Sequence, residues 1–217
     1  MTRAALLAFA VCSLACGERS SPVPAAQPPA RGPVRLRGTM LVRNDSALVF
    51  VACGTTAERP VRATPASQLI DAITSVNGAV RDSLWVEFTA DTTPSSITAR
   101  EALFAAALSE GSRCDQPRGA FDVEALGNEP FWHVTLDSAQ LVLERPEPPR
   151  ELVFDVATAE ARGTLTTIVA HRALGKVHDL TLGLLREPCR DGMSDAWYPY
   201  RAEVRVGDVA LHGCARR

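Results

Sequence analysis

Hydrophobic and polar residues alternate with a period of two through most of the second half of the chain. Eight short segments between residues 119 and 217 show this pattern, and turn-forming residues separate them. The segments read FDVEALG, HVTLD, LVLER, ELVFDVA, GTLTTIVAHR, HDLTLGLLRE, YRAEVRV and DVALHG. Pro146, Pro148 and Pro149 lie together in one connection, where they cost no ladder hydrogen bonds. The pattern predicts an antiparallel barrel or sandwich over residues 119–217.

A first folded segment, residues 34–116, shows the same alternation over fewer strands. VRLRGTMLVR (34–43) and ALVFVA (47–52) flank the turn-forming residues 44–46, which predicts a hairpin. SLWVEFTA (83–90) also alternates and predicts a further strand. We therefore expect a small, β-rich, barrel-like unit.

One helix is expected in this first segment, over ATPASQLIDAITSVNG (63–78). Thr64 is placed to cap it, Pro65 fits the first helical position, and NG at 77–78 ends it. The apolar residues expected on its buried face are Leu69, Ile70 and Ile73. ITAREALFAAAL (97–108) is ambiguous, since its alanines favour a helix while its position favours a closing strand. The sequence predicts a mainly β fold of two small antiparallel barrel- or sandwich-like domains, the first with one short helix.

The N-terminus has the features of an export signal. Residues 1–15 combine a positive charge at Arg3 with a short apolar run, which is typical of a signal peptide. The run ends at Ala15 and Cys16, which resemble a bacterial lipobox, where the cysteine is lipidated and becomes the first mature residue. Ser13 departs from the leucine that is usual at its position. Plain export and a cytosolic location are the alternatives.

The segment after Cys16 is rich in proline and cannot bury enough surface to fold. Five of residues 17–33 are proline, which predicts a stiff tether between a lipidated Cys16 and the folded part. No apolar run reaches the length of a transmembrane helix. The expected location is therefore the bacterial cell envelope, with the folded domains outside the cytoplasmic membrane and the membrane as a partner only through the lipid.

Charge and composition argue against a nucleic-acid partner. The 217 residues include 23 Lys and Arg against 25 Asp and Glu, and only 6% are aromatic. A basic face and a base-stacking platform both require more than this. The arginines are interleaved with acidic residues, so no polybasic membrane patch is expected.

Four cysteines remain after the signal and Cys16 are set aside, and they allow three pairings. A proline-flanked junction divides the chain between the second and third, so Cys53–Cys114 and Cys189–Cys214 would each lie within one domain. Export makes disulfides the favoured state. A zinc site is the alternative, but there is no CxxC motif and the histidines stand at no ligand-like spacing from the cysteines. No metal or cofactor is expected.

Residues 34–91 loosely resemble the small OB-like domain of NlpE-type envelope lipoproteins. The residues that carry this resemblance are a strand ending in a Phe-x-x-Cys pattern, here Phe50 and Cys53, and the helix and SLWVEFTAD strand that follow. The resemblance implies an OB-like domain over 34–116. The copper role of that family is not implied, because Met40 lacks neighbouring soft ligands.

Three motifs mark the second segment: GNEPFW (127–132), CRDGMSD (189–195) and GCA (213–215). In this order they resemble a family of poorly characterised bacterial envelope proteins, sometimes fused to lysozyme-inhibitor-like or META/HslJ-like domains. The resemblance implies an exported β-domain with a disulfide between the second and third motifs, Cys189 and Cys214. It implies no activity.

The motifs provide the candidate site residues. Structural roles are the favoured interpretation. Glu129 would lock a strand entrance, and Phe131 and Trp132 would alternate in and out of the barrel. In the second motif Asp191 would accept backbone N–H groups in a turn where Gly192 has a positive φ. The alternative is a ligand rim with Trp132 as an apolar platform and Glu129 as a polar handle. The residues of this possible rim are Asn128, Glu129, Trp132, Asp191, Ser194 and Asp195.

Other chemistry at these motifs is less favoured. An oxygen-rich calcium site would use Asp191, Ser194 and Asp195. A hydrolase would use Ser194, which lies outside any GxSxG motif, and a glycosidase would need Glu129 to face one of the aspartates across a cleft. The aromatic run WYPY (197–200) predicts core or strand-entry packing, with an exposed contact surface as the alternative.

Taken together, these patterns predict a lipid-anchored, non-enzymatic envelope protein. We expect it to bind or sense another envelope protein or a wall component. A c-type lysozyme inhibitor is one alternative, which predicts an exposed loop that enters a lysozyme cleft. An envelope hydrolase is the other, which predicts a concave site with a solvent-facing nucleophile or carboxylate pair.

Overall fold

The computed structural model describes residues 32–43, 47–76, 83–108, 114, 121–172 and 179–217. Within these ranges the protein is mainly β, as expected, with a single α-helix, α1 (Leu69–Val76). The first five strands are β1 (Val34–Val42), β2 (Leu48–Ala52), β3 (Glu58–Arg62), β4 (Ser83–Thr92) and β5 (Ile97–Ala107). The next five are β6 (Val123–Asn128), β7 (Phe131–Asp137), β8 (Gln140–Glu144), β9 (Glu151–Arg162) and β10 (Leu165–His171). The last five are β11 (Leu180–Leu185), β12 (Cys189–Arg190), β13 (Trp197–Tyr198), β14 (Tyr200–Val206) and β15 (Val209–Arg216).

Strands β1–β5 close into a ring. β1 pairs with both β2 and β4, β2 pairs with β3, and β5 pairs with β4 and, in parallel, with β3. The five strands thus form a small mixed barrel, with α1 between β3 and β4 along the chain. Register shifts between β4 and β5 mark bulges, which bend strands as closure of so small a barrel requires. The ambiguous segment 97–108 is thus a strand, because burial against the helix and the barrel core overrides the helix propensity of its alanines.

The helix is shorter than predicted, and its buried face differs. Pro65–Ser67 forms a separate 3-10 turn, and Gln68 then takes a left-handed conformation (φ 55°) before α1 begins. Thr64 makes no side-chain cap. The buried residues of α1 are Leu69, Ala72, Ile73 and Val76. Ile70 is exposed, so its predicted place on the buried face was wrong, because at about 100° per residue it points away from the face that the four buried residues share.

The second barrel consists of eight antiparallel strands in the order β6-β7-β8-β9-β10-β11-β14-β15, with β15 pairing back to β6. These strands correspond to the eight alternating segments of the sequence. The inward residues of each strand fill the interior, which holds the aromatic rings of Trp132, Phe154 and Tyr200 among aliphatic side chains. Gly207 has φ 59° in the β14–β15 turn, a conformation that glycine adopts without strain. The proline-rich stretch connects β8 to β9, as predicted.

The chain segment between β11 and β14 is not part of the second barrel. Between β11 and β14 the chain forms β12 and β13, which pair with each other, and β13 pairs with β5 of the first barrel. Trp197 of β13 is 1% exposed and packs in the core of the first barrel. The core interpretation of WYPY is confirmed, because Trp197, Tyr198 and Tyr200 are all buried.

The two barrels meet in a third apolar cluster. Trp85 and Phe104, on the outer faces of β4 and β5, contact Ala196, Tyr198 and Cys214 there. Every residue from 84 to 88 is therefore buried, although the alternating pattern of this strand predicts one buried face. The second face is covered by the second barrel.

A buried carboxylate lies at the same junction. Glu87 is 4% exposed and pairs with Arg35 at 3.0 Å and with Arg216 of β15 at 3.4 Å. Arg216 also binds Glu124 at 2.6 Å, and its guanidinium lies 4.6 Å from the ring centroid of Phe104. The pairing offsets part of the cost of burying the Glu87 carboxylate away from water.

Several predicted features lie outside the described residues. They are the signal peptide 1–15, the tether up to residue 31 with Cys16, the turn at 44–46 and the helix stop at 77–78. The division of the chain into a domain at 34–116 and another at 119–217 stays a prediction. In the described part, no helix is long and apolar enough to cross a membrane.

Candidate functional site

The three sequence motifs meet at one corner of the second barrel. The Cys189–Cys214 disulfide, with Cα atoms 5.5 Å apart, attaches β12 to β15. The Asn128 side-chain amide donates a hydrogen bond to Asp191 of the second motif. The Trp132 indole N–H donates to the carbonyl of His212, next to the third motif, at 3.3 Å. The other disulfide joins Cys53 to Cys114, so both pairs are those expected from the sequence.

Two glycines of these motifs make room for the buried indole. Gly127 lies directly opposite Trp132 in the β6–β7 pair. A Cβ atom at Gly127 would lie 2.2 Å from Trp132 Nε1, and one at Gly213 would lie 1.9 Å from the carbonyl oxygen of Leu126. Both distances are shorter than any real contact. The glycines of GNEPFW and GCA are therefore required by packing around Trp132.

Asp191 holds the turn of the second motif. It is 8% exposed, and its carboxylate accepts hydrogen bonds from the Met193 N–H at 3.1 Å, from the Ser194 hydroxyl and from Asn128. Burial by itself raises the pKa of Asp191, but these hydrogen bonds together bring the pKa below its usual range. The predicted positive φ of Gly192 was wrong: the left-handed residue is Asp195, at φ 53°. Asp195, rather than glycine, reverses the chain, and asparagine and aspartate tolerate this conformation best after glycine.

The predicted rim residues do not form one surface. Asn128 is half-buried, bonds to Asp191 and lines one groove together with it, whereas Glu129 is exposed on the β6–β7 turn. Trp132 is fully buried in the barrel interior, so it cannot serve as the exposed platform of the alternative interpretation, while Phe131 beside it is 53% exposed. The predicted alternation of these two rings is confirmed. Ser194 and Asp195 are exposed.

A groove of about 800 Å³ lies against the outer face of the second barrel, beside the disulfide. We call it the outer groove. Its floor consists of outward-facing residues of β10, β11, β14, β15 and β6, and the segment from Cys189 to Gly192 forms one wall. The lining residues discussed below are Leu126, Leu165, Thr167, Gly183, Leu185, Arg190, Asp191, Arg201, Glu203, Arg205, His212 and Cys214. The volume falls in the usual range for small-molecule sites.

The floor of the outer groove is partly apolar although it faces solvent. Leu165 and Leu185 lie directly opposite each other in the β10–β11 pair, and they are 41% and 37% exposed. Gly183 of β11 lies beside these leucines and next to the charged residues of β14, and it has no side chain. A Cβ atom there would make only ordinary contacts, 3.8 Å from the carbonyl of Glu203 and 4.0 Å from Leu165. The gap therefore widens the groove without being required by packing.

The charged residues of the groove form exposed ion pairs. Arg190 pairs with Asp195 at 3.1 Å, Arg201 with Glu187 at 3.1 Å, and Arg205 with Glu203. Exposed pairs of this kind contribute about 0–1 kcal/mol each to stability. The guanidinium groups can therefore exchange partners at little cost.

Chemistry at the CRDGMSD turn is limited by its contacts. Ser194 bonds to Asp191, and a carboxyl with a lowered pKa is a weak general base. Asp195 is engaged with Arg190, so the oxygens of a calcium site do not converge here. Over the described ranges no group of three or more His, Cys, Asp and Glu side chains has an arrangement that could hold a metal ion.

A second polar cluster lies on the outer face of β6, β7 and β8. His133 lies between two carboxylates, with Nε2 3.2 Å from Glu124 and Nδ1 3.1 Å from Glu144. The hydrogen bond to Glu124 raises the pKa of His133 against the effect of burial, and Glu144 raises it further. The same hydrogen bond lowers the pKa of Glu124. Burial raises that pKa and Arg216 lowers it, and the net result is a pKa of about 2. This cluster connects to Glu87 through Arg216, so it extends to the junction of the barrels.

Sequence reasoning missed the floor of the outer groove. The sequence does contain a sign of this floor, because the alternation of apolar and polar residues is interrupted at two places. Leu185 directly follows Leu184, which faces the core, and Leu165 lies at an outward position where a polar residue is expected. Such a break does not reveal a groove until the wall formed by residues 189–192 is known. Comparison of the chain with models of protein families, with curated proteins and with solved structures finds no match among them.

Proposed function

We propose that this chain is a lipid-anchored, non-enzymatic protein of the bacterial cell envelope, and that it binds a ligand in the outer groove. The observation that carries the binding function is the groove itself: about 800 Å³, with exposed leucines on the floor and arginines around them. Exposed apolar surface inside a concave site is typical of binding sites. The signal-like N-terminus, the lipobox-like Cys16 and the two disulfides support the location.

The location is tested by the intact mass of the protein purified from bacterial membranes, with and without reduction and alkylation. The proposal predicts a chain that begins at Cys16, carries lipid and exposes four thiols only after reduction. A chain without lipid and with free thiols would overturn both the anchor and the compartment.

The binding function is tested by native mass spectrometry of the same preparation. We expect the wild-type protein to retain a ligand that the Gly183→Leu variant lacks, because the leucine would fill the gap in the floor. Thr158→Leu is the matched control, since it adds the same side chain at an exposed position of β9 outside the groove. Equal ligand content in all three proteins would contradict the proposal.

A second candidate function is lysozyme inhibition through the turn at 192–195. Met193 is 79% exposed at its tip, and Asp191 holds the turn from within. A rigid turn with an exposed apolar tip fits a protein cleft. This candidate predicts that titration with the protein lowers c-type lysozyme activity and that Met193→Asp abolishes the effect. Unchanged lysozyme activity would remove it.

A further inference from the structure

Two rows of side chains cross the floor of the outer groove. In the first row each residue is the cross-strand partner of the next, and the row runs through Leu165, Leu185, Arg201, Cys214 and Leu126. It crosses five strands, which corresponds to roughly 19 Å at a spacing of about 4.8 Å. Of its apolar members, Leu165 and Leu185 are exposed, whereas Cys214 is 3% exposed and packs with Leu126 in the apolar cluster between the barrels. The exposed part of the first row is thus an apolar strip of two leucines that ends at the cation Arg201.

The second row contains hydrogen-bonding groups and the gap. It runs through Thr167, Gly183, Glu203 and His212, again as consecutive cross-strand partners. Because Gly183 has no side chain, a ligand lying on the apolar strip has room beside Leu185 and Arg201. The space is therefore elongated across the strands.

The cations of the groove can accept an external anion. Arg190 and Arg201 are half or more exposed, and their partners Asp195 and Glu187 stand outside the groove lining. The acidic residue at the wall, Asp191, is directed into its own turn and has both oxygens engaged. An anion that enters the groove can take the two guanidinium groups, and their exposed carboxylate partners then return to water at little cost.

We infer that the outer groove binds a single-chain amphiphilic anion, with its acyl chain along the apolar strip and a carboxylate or phosphate head at Arg201 and Arg190. This inference rests on the proposed binding function and names the ligand class of that site. Bidentate hydrogen bonds from arginine suit both head groups. The apolar strip suits an aliphatic chain, which has no polar groups to satisfy.

An extended peptide fits the same surface less well. The barrel is closed, so the backbone groups of the floor strands are already paired in the ladders. A peptide on the apolar strip would bury its own N–H and C=O groups against leucines without partners, at a cost of about 1–3 kcal/mol for each group. Among the described lining residues there is no Phe, Tyr or Trp on which a sugar could stack.

The test uses the full-length protein in nanodiscs of a zwitterionic diacyl lipid. Four probes with the same twelve-carbon chain are titrated by calorimetry: dodecanoate, dodecyl phosphate, dodecyl maltoside and dodecyltrimethylammonium. Wild type, Gly183→Leu, and the Arg190→Gln, Arg201→Gln double variant are compared in identical discs, so partition into lipid cancels. Arg162→Gln, at an exposed arginine on β9, is the control for charge removal.

We expect the wild type to bind the two anionic probes more tightly than the other two. The double arginine variant should lose about tenfold or more in affinity for the anions, since each charge-assisted hydrogen bond contributes on the order of a factor of ten. Gly183→Leu should lose binding of both anions, and Arg162→Gln should bind as the wild type does.

Two outcomes would overturn the inference. Equal affinity for all four probes would show that the head group is not recognised. If Gly183→Leu binds the anions as the wild type does, the anion-binding site lies outside the outer groove. If no amphiphile binds while native mass spectrometry still finds a ligand that depends on Gly183, the ligand class assigned here is wrong and the binding function stands. If that ligand is absent as well, both fail.

Discussion

The two barrels of this protein differ in how their cores are completed. The second barrel is filled by residues from its own eight strands, which follow one another along the chain. The first barrel has only five strands and a short helix, and its core includes Trp197, which arrives from the segment between β11 and β14. A small barrel buries less surface per residue than a large one. The comparison indicates that the first barrel depends on the second for part of its core, while the reverse dependence is weak.

Replacing Trp197 tests this asymmetry most directly, and it has the largest expected effect. We expect Trp197→Ala to lower the free energy of unfolding by about 3–5 kcal/mol, as large-to-small changes of buried aromatics do. Hydrogen exchange should show lost protection in β4, β5 and α1, while β7 and β8 stay protected. Equal loss in both barrels would show that they depend on each other equally.

Trp197→Phe is the matched control for that experiment. The indole Nε1 of Trp197 is buried without a hydrogen-bond partner in the described part of the chain. Phenylalanine keeps an aromatic ring and removes this unpaired donor. We expect a smaller loss than for Trp197→Ala, because phenylalanine leaves a smaller cavity.

Removal of either disulfide should have the next largest effect, and removal of Cys189–Cys214 tests the asymmetry. The bond spans 25 residues and holds the segment that carries Trp197. The chain-entropy model gives a loss of about 3 kcal/mol for Cys189→Ala with Cys214→Ala. Protection should fall in the first barrel as well as around β15, measured by the same exchange experiment.

Its counterpart is Cys53→Ala with Cys114→Ala, which opens a longer loop of 61 residues. Because this bond lies wholly within the first half, the second barrel should keep its protection. If the Cys53–Cys114 variant instead weakened β7 and β8, the one-way dependence would be refuted.

Substitution of two glycines compares how tightly two parts of the second barrel are packed, the corner at Trp132 and the floor of the outer groove. Gly213→Ala forces a Cβ atom against the Leu126 carbonyl, so we expect a loss of about 1–3 kcal/mol from overpacking. Gly183→Ala adds a methyl group with ordinary contacts, and it should be neutral or stabilise by up to about 1 kcal/mol. Urea unfolding of both variants measures the difference. Similar losses would mean that the groove floor is as tightly packed as the corner.

The smallest expected effect concerns the charge cluster that joins the barrels. The pKa of Glu124 is lowered from 4.5 to about 2, so its stabilisation is present above pH 4.5 and is lost as the pH falls towards 2. The pKa of His133 is raised above 6.5, so its stabilisation is present below pH 6.5 and is lost as the pH rises through the raised pKa.

Glu124→Gln should therefore cost most between about pH 4.5 and 6.5, and about 1–2 kcal/mol once solvent screening of this partly exposed cluster is allowed for. The measurement is the free energy of unfolding of variant and wild type from below pH 4.5 to above the raised pKa of His133. Glu160→Gln, which breaks an exposed pair with Arg162, is the control and should change little at any pH. A difference that does not vary with pH would rule out His133 as the partner that matters.

Local patterns determined much of the architecture. Alternation located all eight strands of the second barrel, because one face of each strand lies against a core that is built from neighbours along the chain. The disulfide pairing followed from the division of the chain at its prolines. Local turn chemistry was less reliable, since Asp195 rather than Gly192 takes the left-handed conformation.

Long-range contacts decided the rest. Alternation could not show that both faces of β4 are buried, that Trp197 enters the other barrel, or that Gly127 and Gly213 make room for Trp132, because each depends on residues far away in sequence. The outer groove arises in the same way. Its leucines, its arginines and its glycine lie on separate strands, and its wall is a loop held in place by a disulfide. By itself the sequence predicted the strands, the cysteine pairing and a location in the cell envelope. Only the tertiary structure decided which of their outer faces form the groove, because a groove exists only where separate elements are packed side by side.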